Sequence, residues 1–442
     1  MNNGIRSLWK GEDWWAIWIG FAFIIGSLLS IVPHVPKIGK WTDDPLSALM
    51  IVKDGVATGN LILPLILLMI AICALTSIGM AFMKTERLSH YIPAFVVVFM
   101  LACISYWIAN QVNVSYWGLS YALWSLLIGL LISNTIGTPK WLKAGAQTEL
   151  FIKIGLVLLG CEILFKKIMA LGPPGLMVAW IVTPIVVIFM YKFGRDVLKI
   201  SNKPLIIIVA AATSVCGVSA AIAVAAACCA KKEDLTLGVG MTLIFTVLMM
   251  FFMPLGIKWV GMNPILGGAW MGGTIDSTGA VVAAGSMLGD NAEKVAAVVK
   301  MIQNVLIGVV AFVVAIYWVT KVECEEGAPK PNAMEIWRRF PKFVLGFVAA
   351  SILFSFIVVP ATGGDFKIVE ASYIKPITKT LRGWFFCLAF ASIGLQSNFK
   401  DLASRMEGGK PMILYVIGQS FNLILTLLVA WVAFLILFPN AI

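Results

Sequence analysis

The sequence has few charged residues and almost no histidine. Charged residues make up only 12% of the 442 residues, about half of the share in a typical soluble domain, and His34 and His90 are the only histidines. So few charges cannot form the polar surface that a soluble protein of this length needs. With two histidines and no CxxC pair, the sequence also lacks the ligand spacing of a zinc or iron–sulfur site, so we expect no metal and no other cofactor.

Motifs of soluble chemistry are missing as well. The sequence contains no Walker-type phosphate loop, no HExxH motif and no GxSxG motif with an available histidine. We therefore predict that the chain is not an enzyme and does not use ATP by itself. The net charge of +11 comes from lysines and arginines scattered among short loops, which does not favour nucleic acid as a partner. Every cysteine except Cys324 lies in an apolar run, where packing between helices is the expected role.

What the sequence does contain is apolar runs, each of about 20 residues, the length that spans a bilayer as a helix. Hydrophobic residues make up 60% of the chain, and the mean hydropathy is +0.95. We predict an all-α polytopic membrane protein of about 11–13 transmembrane helices, in contact with membrane lipid. The predicted segments are 14–33, 59–83, 91–110, 116–136, 150–165, 174–192, 204–230, 236–257, 265–287, 295–319, 342–361, 380–398 and 411–437.

Loop composition predicts the orientation and the organisation of the chain. Lysine and arginine are more frequent in the loops on the side of the N-terminus, which places that end in the cytoplasm and the C-terminus outside, in a multi-pass cell (inner) membrane protein. We predict an N-terminal membrane region at 1–319, a cytoplasmic linker at 320–341 and C-terminal membrane helices at 342–442. Residues 45–53 are predicted to form an interfacial helix.

Two apolar segments resemble each other. Residues 151–167 and 386–401 both consist of an apolar run that is followed by glycine, a polar residue and Phe-Lys. On our count they cross the membrane in opposite directions, as inverted repeats of secondary transporters do. A chance similarity between two apolar helices is the alternative.

The first candidate site is an interruption of the segment 204–230 by small and polar residues. A helix broken at Gly217 would direct free backbone N–H groups at an anion, and neighbouring hydroxyls would complete its coordination. The alternative is a continuous helix, in which the hydroxyls bond back to the backbone. The predicted substrate-binding residues here are Thr213, Ser214, Cys216, Gly217 and Ser219.

The second candidate is the segment 265–287, whose glycine content is too high for a plain membrane helix. Asp276 lies within it, and an acid at membrane depth indicates function, so we assign it the coupling ion, a proton or Na⁺. The alternative is an aspartate that only caps a helix. The predicted substrate-binding residues in this segment are Gly272, Gly273, Thr274, Ser277 and Thr278.

A third candidate is the polar helix face formed by Lys300, Gln303 and Asn304, which lie at i, i+3 and i+4. Lys300 is predicted to attract an anionic solute or to pair with Asp276. The alternative is a lysine that reaches the membrane interface. Weaker candidates, for which hydrogen bonding between helices is the alternative, are Ser133, Asn134, Glu162, Gln396, Ser397, Asn398, Gln419, Ser420 and Asn422.

These residues resemble the YeiH-type family of sulfate exporters. The resemblance is carried by residues 12–20, 154–160, 214–220 (Ser-Val-Cys-Gly-Val-Ser-Ala), 268–276 and 281–285, together with Lys300. It implies a multipass inner-membrane carrier with inverted repeats and broken, crossing helices, similar in plan to bile-acid symporters and sodium/proton antiporters. The family pattern has a histidine directly before the acid, where this chain has Ile275, and an arginine near Gln303. Each departure removes a titratable or cationic group.

Together these features predict a secondary transporter that moves a small anion by alternating access. Helix N-termini, hydroxyls and Lys300 suit sulfate, sulfite, a sulfonate or a related oxyanion as the solute. A cation/proton exchanger and a passive anion channel on the same fold are the alternatives. Coupling to H⁺ or Na⁺ and assembly as a homodimer stay open.

Overall fold

A computed structural model of the protein describes residues 8–32, 34–53, 56–116, 120–322, 334–400 and 409–439. The structure is 83% helix, as expected where lipid leaves the backbone no other hydrogen-bond partner than itself. Within those ranges nine helices are long and apolar enough to cross a membrane, and Tyr121–Thr135 and Thr278–Leu288 are shorter apolar helices. The prediction of a helical polytopic membrane protein is therefore confirmed.

In chain order the helices are α1 (Glu12–Leu28), α2 (Ile62–Met83), α3 (Leu88–Ala109), α4 (Val112–Tyr116), α5 (Tyr121–Thr135), α6 (Lys140–Lys143), α7 (Thr148–Leu159), α8 (Phe165–Leu176), α9 (Val182–Lys192), α10 (Lys203–Ala211), α11 (Gly217–Ala227), α12 (Lys232–Trp259), α13 (Pro264–Thr274), α14 (Thr278–Leu288), α15 (Asp290–Lys321), α16 (Met334–Arg339), α17 (Phe343–Leu353), α18 (Val359–Ala361), α19 (Phe366–Val369), α20 (Lys379–Gln396) and α21 (Lys410–Trp431). Turns of π-helix extend several of them, at Met177–Ile181, Phe193–Val197, Ala212–Cys216, Phe354–Val358, Glu370–Thr378 and Val432–Leu437.

Two predictions are wrong, the interfacial helix at residues 45–53 and the bounds of the segment 174–192. Pro45–Leu49 forms only a short 3₁₀ turn, and the residues after it form an antiparallel pair of strands, β1 (Met50–Lys53) and β2 (Val56–Asn60). Branched side chains favour strand over helix there. The segment predicted at 174–192 is longer, because the helix already begins at Phe165 and the candidate span runs to Val197.

Tertiary contacts divide the chain into two compact units. The first consists of Met1–Phe165 and Lys342–Asn398, and the second consists of Lys166–Pro341 and Phe399–Ile442. The division predicted at 1–319, 320–341 and 342–442 stays a prediction, and residues 323–333 of the linker lie outside the described residues. The inverted repeat also stays a prediction; residues 151–165 and 386–398 of its two segments belong to the first unit.

Small residues allow the helices of the first unit to pack closely. A Cβ on Gly20 would lie 2.7 Å from Val157, and a Cβ on Gly129 would lie 2.8 Å from the Cα of Gly394. Helices α1 and α7, and likewise α5 and α20, therefore approach at positions where only glycine fits. This is the packing that membrane helices use where lipid provides no hydrophobic driving force.

Several of the weaker polar candidates lie at this packing interface. Ser133 Oγ donates to the carbonyl oxygen of Gly394 at 2.9 Å or to that of Ser397 at 3.0 Å. Asn134 Nδ2 donates to the same Ser397 carbonyl at 3.0 Å. These bonds join α5 to the end of α20, which is the hydrogen bonding between helices that we named as their alternative role.

Glu162 and Arg382 form a buried ion pair in the first unit. Glu162 ends the 3₁₀ turn after α7, and Arg382 lies in the first turn of α20. The distance from Arg382 Nε to Glu162 Oε1 is 2.7 Å, and the two side chains are 4% and 2% exposed. Because neither charge reaches water, each depends on the other.

We predict that Arg382→Leu destabilises the protein by about 3–5 kcal/mol, because it leaves the Glu162 carboxylate buried without its counter-charge. The double variant Glu162→Leu/Arg382→Leu should recover most of that loss. The measurement is thermal unfolding of the purified protein in detergent. As a control, Lys375→Gln breaks the exposed Lys375–Glu370 pair of the same unit and should cost no more than about 1 kcal/mol. Equal losses in both single variants would contradict the prediction.

Candidate functional site

The candidate site lies in the second unit, where two helices are interrupted. The first interrupted helix runs from Lys203 through a π-helical turn to Cys216, and α11 begins at Gly217. Gly217 has φ +23°, a value that L residues rarely adopt. A Cβ there would also lie 2.9 Å from the carbonyl oxygen of Asp276. Both the backbone conformation and the approach of the second break therefore require glycine at this position.

The second break separates α13 from α14. Helix α13 ends at Thr274, and extended backbone at Ile275 and Ser277 leads into α14. The glycines before the break serve packing, since a Cβ on Gly268 or Gly272 would lie 2.5 Å or 2.8 Å from a carbonyl oxygen of α15. The composition that made this segment unsuitable as a plain membrane helix thus reflects both a real break and a close helix contact.

Side chains from other helices satisfy the carbonyl oxygens that the first break exposes. Such oxygens have no helical partner, and lipid offers them no hydrogen-bond donor. Asn422 Nδ2, from α21, donates to the carbonyl oxygen of Thr213 at 3.0 Å. Lys300 Nζ, from α15, donates to the carbonyl oxygen of Val215 at 2.5 Å. The negative end of this half-helix is therefore held by an amide and by an ammonium group.

One amide connects the two breaks. Gln303 Nε2 lies 3.0 Å from the carbonyl oxygen of Ser214 and 3.0 Å from that of Gly273, so its two hydrogens can serve both. Thr183 Oγ1, from α9, donates to the same Ser214 oxygen at 3.0 Å. The carbonyl oxygen of Thr274 receives a bond of 3.2 Å from Gln419 Nε2. The C-terminal ends of both half-helices are thus capped by side chains.

Lys300 is 1% exposed and does not reach the membrane interface, so that alternative is wrong. Besides the Val215 carbonyl, its ammonium group donates to Gln303 Oε1 at 2.7 Å. The ion pairs among the described residues do not include one between Lys300 and Asp276. Lys300 therefore places a positive charge at the negative end of a half-helix, and its role toward an anion stays a prediction.

Asp276 is 1% exposed and lies in the extended segment of the second break. Its Oδ2 accepts a hydrogen bond of 2.8 Å from Thr242 Oγ1 and a second one from the hydroxyl of Tyr415. Its Oδ1 has no hydrogen-bond partner in the structure. A buried carboxylate with one unsatisfied oxygen is suited to take up a proton or a metal cation.

Further acceptor atoms around the breaks also lack partners. They are Thr274 Oγ1, Asn304 Oδ1 and Gln419 Oε1, and all three residues are buried. With Asp276 Oδ1 they make the second break rich in oxygen atoms that can accept but have no donor. Groups of three or more His, Cys, Asp or Glu are absent from the described residues, so these oxygens suit a hard monovalent cation or a proton better than a transition metal.

The structure places the predicted residues of the first break in two environments. The hydroxyls of Thr213 and Ser214 bond back to carbonyl oxygens of their own helix, at 2.8 Å and 2.7 Å, as the alternative interpretation has it, although the helix is broken. Cys216 is buried beside Gly217, whereas Ser219 is exposed in the first turn of α11. Their binding of a solute stays a prediction.

The predicted residues of the second break lie closer to the polar network. Thr278 Oγ1 accepts a bond of 2.9 Å from Asn304 Nδ2, and Ser277 is half-buried beside Asp276. Gly272 and Gly273 pack against neighbouring helices. Among the predicted residues, Lys300 and Gln303 therefore bond to each other and to the backbone of the breaks, whereas Asn304 bonds to Thr278 and Asp276 bonds to Thr242 and Tyr415.

Sequence reasoning missed three members of the network and underrated two. Thr183, Thr242 and Tyr415 were not singled out, because one hydroxyl in an apolar helix gives no signal. Gln419 and Asn422 were only weak candidates. Their spacing was the available signal, since residues 415, 419, 422 and 426 repeat at four and three and share one face of α21.

We predict that Gly217→Ala lowers the stability of the protein by about 1–3 kcal/mol, because alanine at this φ is strained and its Cβ meets the second break. Thermal unfolding in detergent measures the loss. Gly256→Ala is the matched control, since that glycine lies inside α12 with no atom within 4 Å of an added Cβ, and it should be neutral or slightly stabilising. A variant Gly217→Ala as stable as the control would show that the break tolerates a side chain.

Comparison with known proteins supports a membrane family. A sequence profile described as "Conserved hypothetical protein 698" matches residues 93–415. A UPF0324 membrane protein of Rhodopirellula baltica is 53% identical over 93% of this chain and 73% of its own length, and one of Nitratidesulfovibrio vulgaris is 52% identical over 91% and 70%. Another of Nitrosomonas europaea is 29% identical over 97% and 98%. No solved structure matches. The chain therefore belongs to the UPF0324 family of membrane proteins, the family of conserved hypothetical protein 698.

Proposed function

We propose that this protein is a secondary active transporter that moves a small anion across the cell membrane by alternating access. One observation carries the proposal: two interrupted helices meet inside one unit, with Asp276 at the second break and Lys300 at the first. Broken helices are costly in a bilayer and occur where the backbone lines a site for an ion or a solute. No part of this arrangement resembles a nucleophile with its base, so we propose transport and not catalysis.

The uncapped ends of the half-helices are the proposed binding place of the anion. Neither Cys216 before α11 nor Ser277 before α14 caps its helix with a side-chain hydrogen bond. The first N–H groups of both helices are therefore available, and they carry partial positive charge. Ser219 is exposed in the first turn of α11, so its hydroxyl is reachable by a solute. Together with the sequence resemblance to sulfate exporters, this supports sulfate, sulfite, a sulfonate or a related oxyanion.

Asp276 is the proposed carrier of the coupling ion. Its unsatisfied Oδ1 and the partnerless oxygens of Thr274, Asn304 and Gln419 form an acceptor-rich environment, in which the Asp276 carboxylate has no positive charge within ion-pair distance among the described residues. A proton on the carboxylate, or Na⁺ among these oxygens, would supply it. Uptake of that cation would also offset the charge of the anion, which lowers the free energy of carrying both through the bilayer core.

The same acceptor oxygens favour a second candidate, a cation/proton exchanger without an anionic solute. In that case Lys300 only stabilises the first break, through its bond to the Val215 carbonyl. The two candidates differ in whether an oxyanion gradient drives flux. A passive channel would differ from both, because its flux would neither saturate nor show counterflow.

We further propose that the protein lies in the inner membrane with its N-terminus in the cytoplasm, as the distribution of lysine and arginine predicts. A homodimer is compatible with this proposal.

Proteoliposomes with the purified protein should take up radiolabelled sulfate or sulfite against internal unlabelled anion, with saturation and counterflow. Imposed gradients of H⁺ and of Na⁺ should identify the coupling ion. Flux of cations that is indifferent to every oxyanion tested would favour the exchanger, and non-saturating flux would favour the channel.

Removing the charge of Asp276 tests its proposed role. The change Asp276→Asn should reduce coupled transport at least about 100-fold, because the amide can neither release a proton nor supply the charge that holds Na⁺. Its effect on thermal stability should be small, since the amide oxygen can still accept the bonds from Thr242 and Tyr415.

Asp234→Asn is the matched control for this prediction. Asp234 is also a buried acid of the second unit, but its Oδ1 accepts a bond of 2.6 Å from Asn202 at the start of α10, away from both breaks. Transport by this control should stay within about twofold of the wild type. Full coupled transport by Asp276→Asn would remove the proposed role of Asp276.

A further inference from the structure

A surface pocket lies in the first unit, at the turn that joins α2 to α3. Its volume is about 440 Å³, and charged residues dominate its lining: Lys84, Glu86, Arg87 and His90. The turn connects two candidate membrane spans, Ile62–Met83 and Leu88–Ala109. The pocket is therefore fixed to the ends of two membrane helices.

Among the described residues, neither a hydrogen bond nor an ion pair joins a charged side chain of this pocket to another side chain. All four residues are exposed, and neither a hydrogen bond nor an ion pair links the side chain of Glu86 to Lys84, Arg87 or His90. Lys84 ends α2 in the left-handed conformation, with φ +57°. The two cations Lys84 and Arg87 outweigh the single acid, Glu86.

An aromatic cluster beside the pocket indicates its depth in the membrane. The rings of Trp9 and Trp15 lie 5.8 Å and 5.4 Å from the ring of Phe82, in the last turn of α2. Trp9 and Trp18 are also close to each other, and both are about half exposed. Tryptophan favours the level of the lipid headgroups, so the adjoining pocket lies at that level.

We propose that this pocket binds the headgroup of an anionic phospholipid. Lys84 and Arg87 would hold the phosphate, which is the chemistry that basic pockets at the membrane surface offer. Ile78 and Phe82 do not line the pocket, but they are exposed apolar side chains in the last turns of α2 next to it and would contact the acyl chains of a lipid bound there. This apolar extension favours a lipid over a free phosphate ion.

The test uses delipidated full-length protein and native mass spectrometry with phosphatidylglycerol, phosphatidylcholine and inorganic phosphate as separate probes. Phosphatidylglycerol should bind more tightly than phosphatidylcholine. The double variant Lys84→Gln/Arg87→Gln should weaken that binding about tenfold or more, since each cation near an anionic lipid contributes appreciably. Glu86→Gln should strengthen it, because it removes only the repulsive charge.

The matched control is Lys140→Gln/Lys143→Gln. These exposed lysines of α6 belong to the same unit but line no part of the pocket, so the change removes an equal charge elsewhere. An equal loss of phosphatidylglycerol binding in both double variants would overturn the pocket, as it would indicate attraction by net charge alone. Inorganic phosphate that competes at similar concentration would overturn the assignment to a lipid. These outcomes are independent of what the protein transports.

Discussion

The packing of the second unit depends on one requirement: the main-chain carbonyl oxygens at the two helix breaks need hydrogen-bond donors. Lipid donates no hydrogen bonds, so each of these oxygens must accept one from another part of the protein. The donors come from α9, α15 and α21, through Thr183, Lys300, Gln303, Gln419 and Asn422. This explains why α21 belongs to the same unit as the breaks, although more than 100 residues separate it from α14 along the chain.

Side chains cap the C-terminal ends of the half-helices but not their N-terminal ends. Side chains donate to the negative ends of α10 and α13, whereas the positive ends of α11 and α14 receive no side-chain cap. The partial negative charges are thus neutralised and the partial positive charges are left available. Asp276 alone brings a full negative charge to the same place, and Thr242 and Tyr415 satisfy only one of its oxygens. This is the environment in which we propose that an anion and a cation are held side by side.

The sequence was sufficient for the helices and for the location of the breaks. Apolar runs of about 20 residues have one stable conformation in lipid, and glycine with hydroxyl residues marks where that conformation fails. It was not sufficient for the partners. Thr242 and Tyr415 reach Asp276 from helices distant in sequence, and nothing local distinguishes them from residues that bond to their own backbone. The strands at Met50–Lys53 and Val56–Asn60 were missed because an apolar run this short fits several conformations.

Gln303 couples the two breaks by hydrogen bonds. Its single amide nitrogen serves both Ser214 and Gly273, so a displacement of either half-helix disturbs the hydrogen bond to the other. If the proposed anion and cation bind at the breaks, one of them would change the free energy of binding the other, and thermodynamic linkage requires the effect to be equal in both directions. A cation that increases the affinity for the solute must then bind more tightly when the solute is present, and the shared amide of Gln303 is the contact through which the two sites would be coupled.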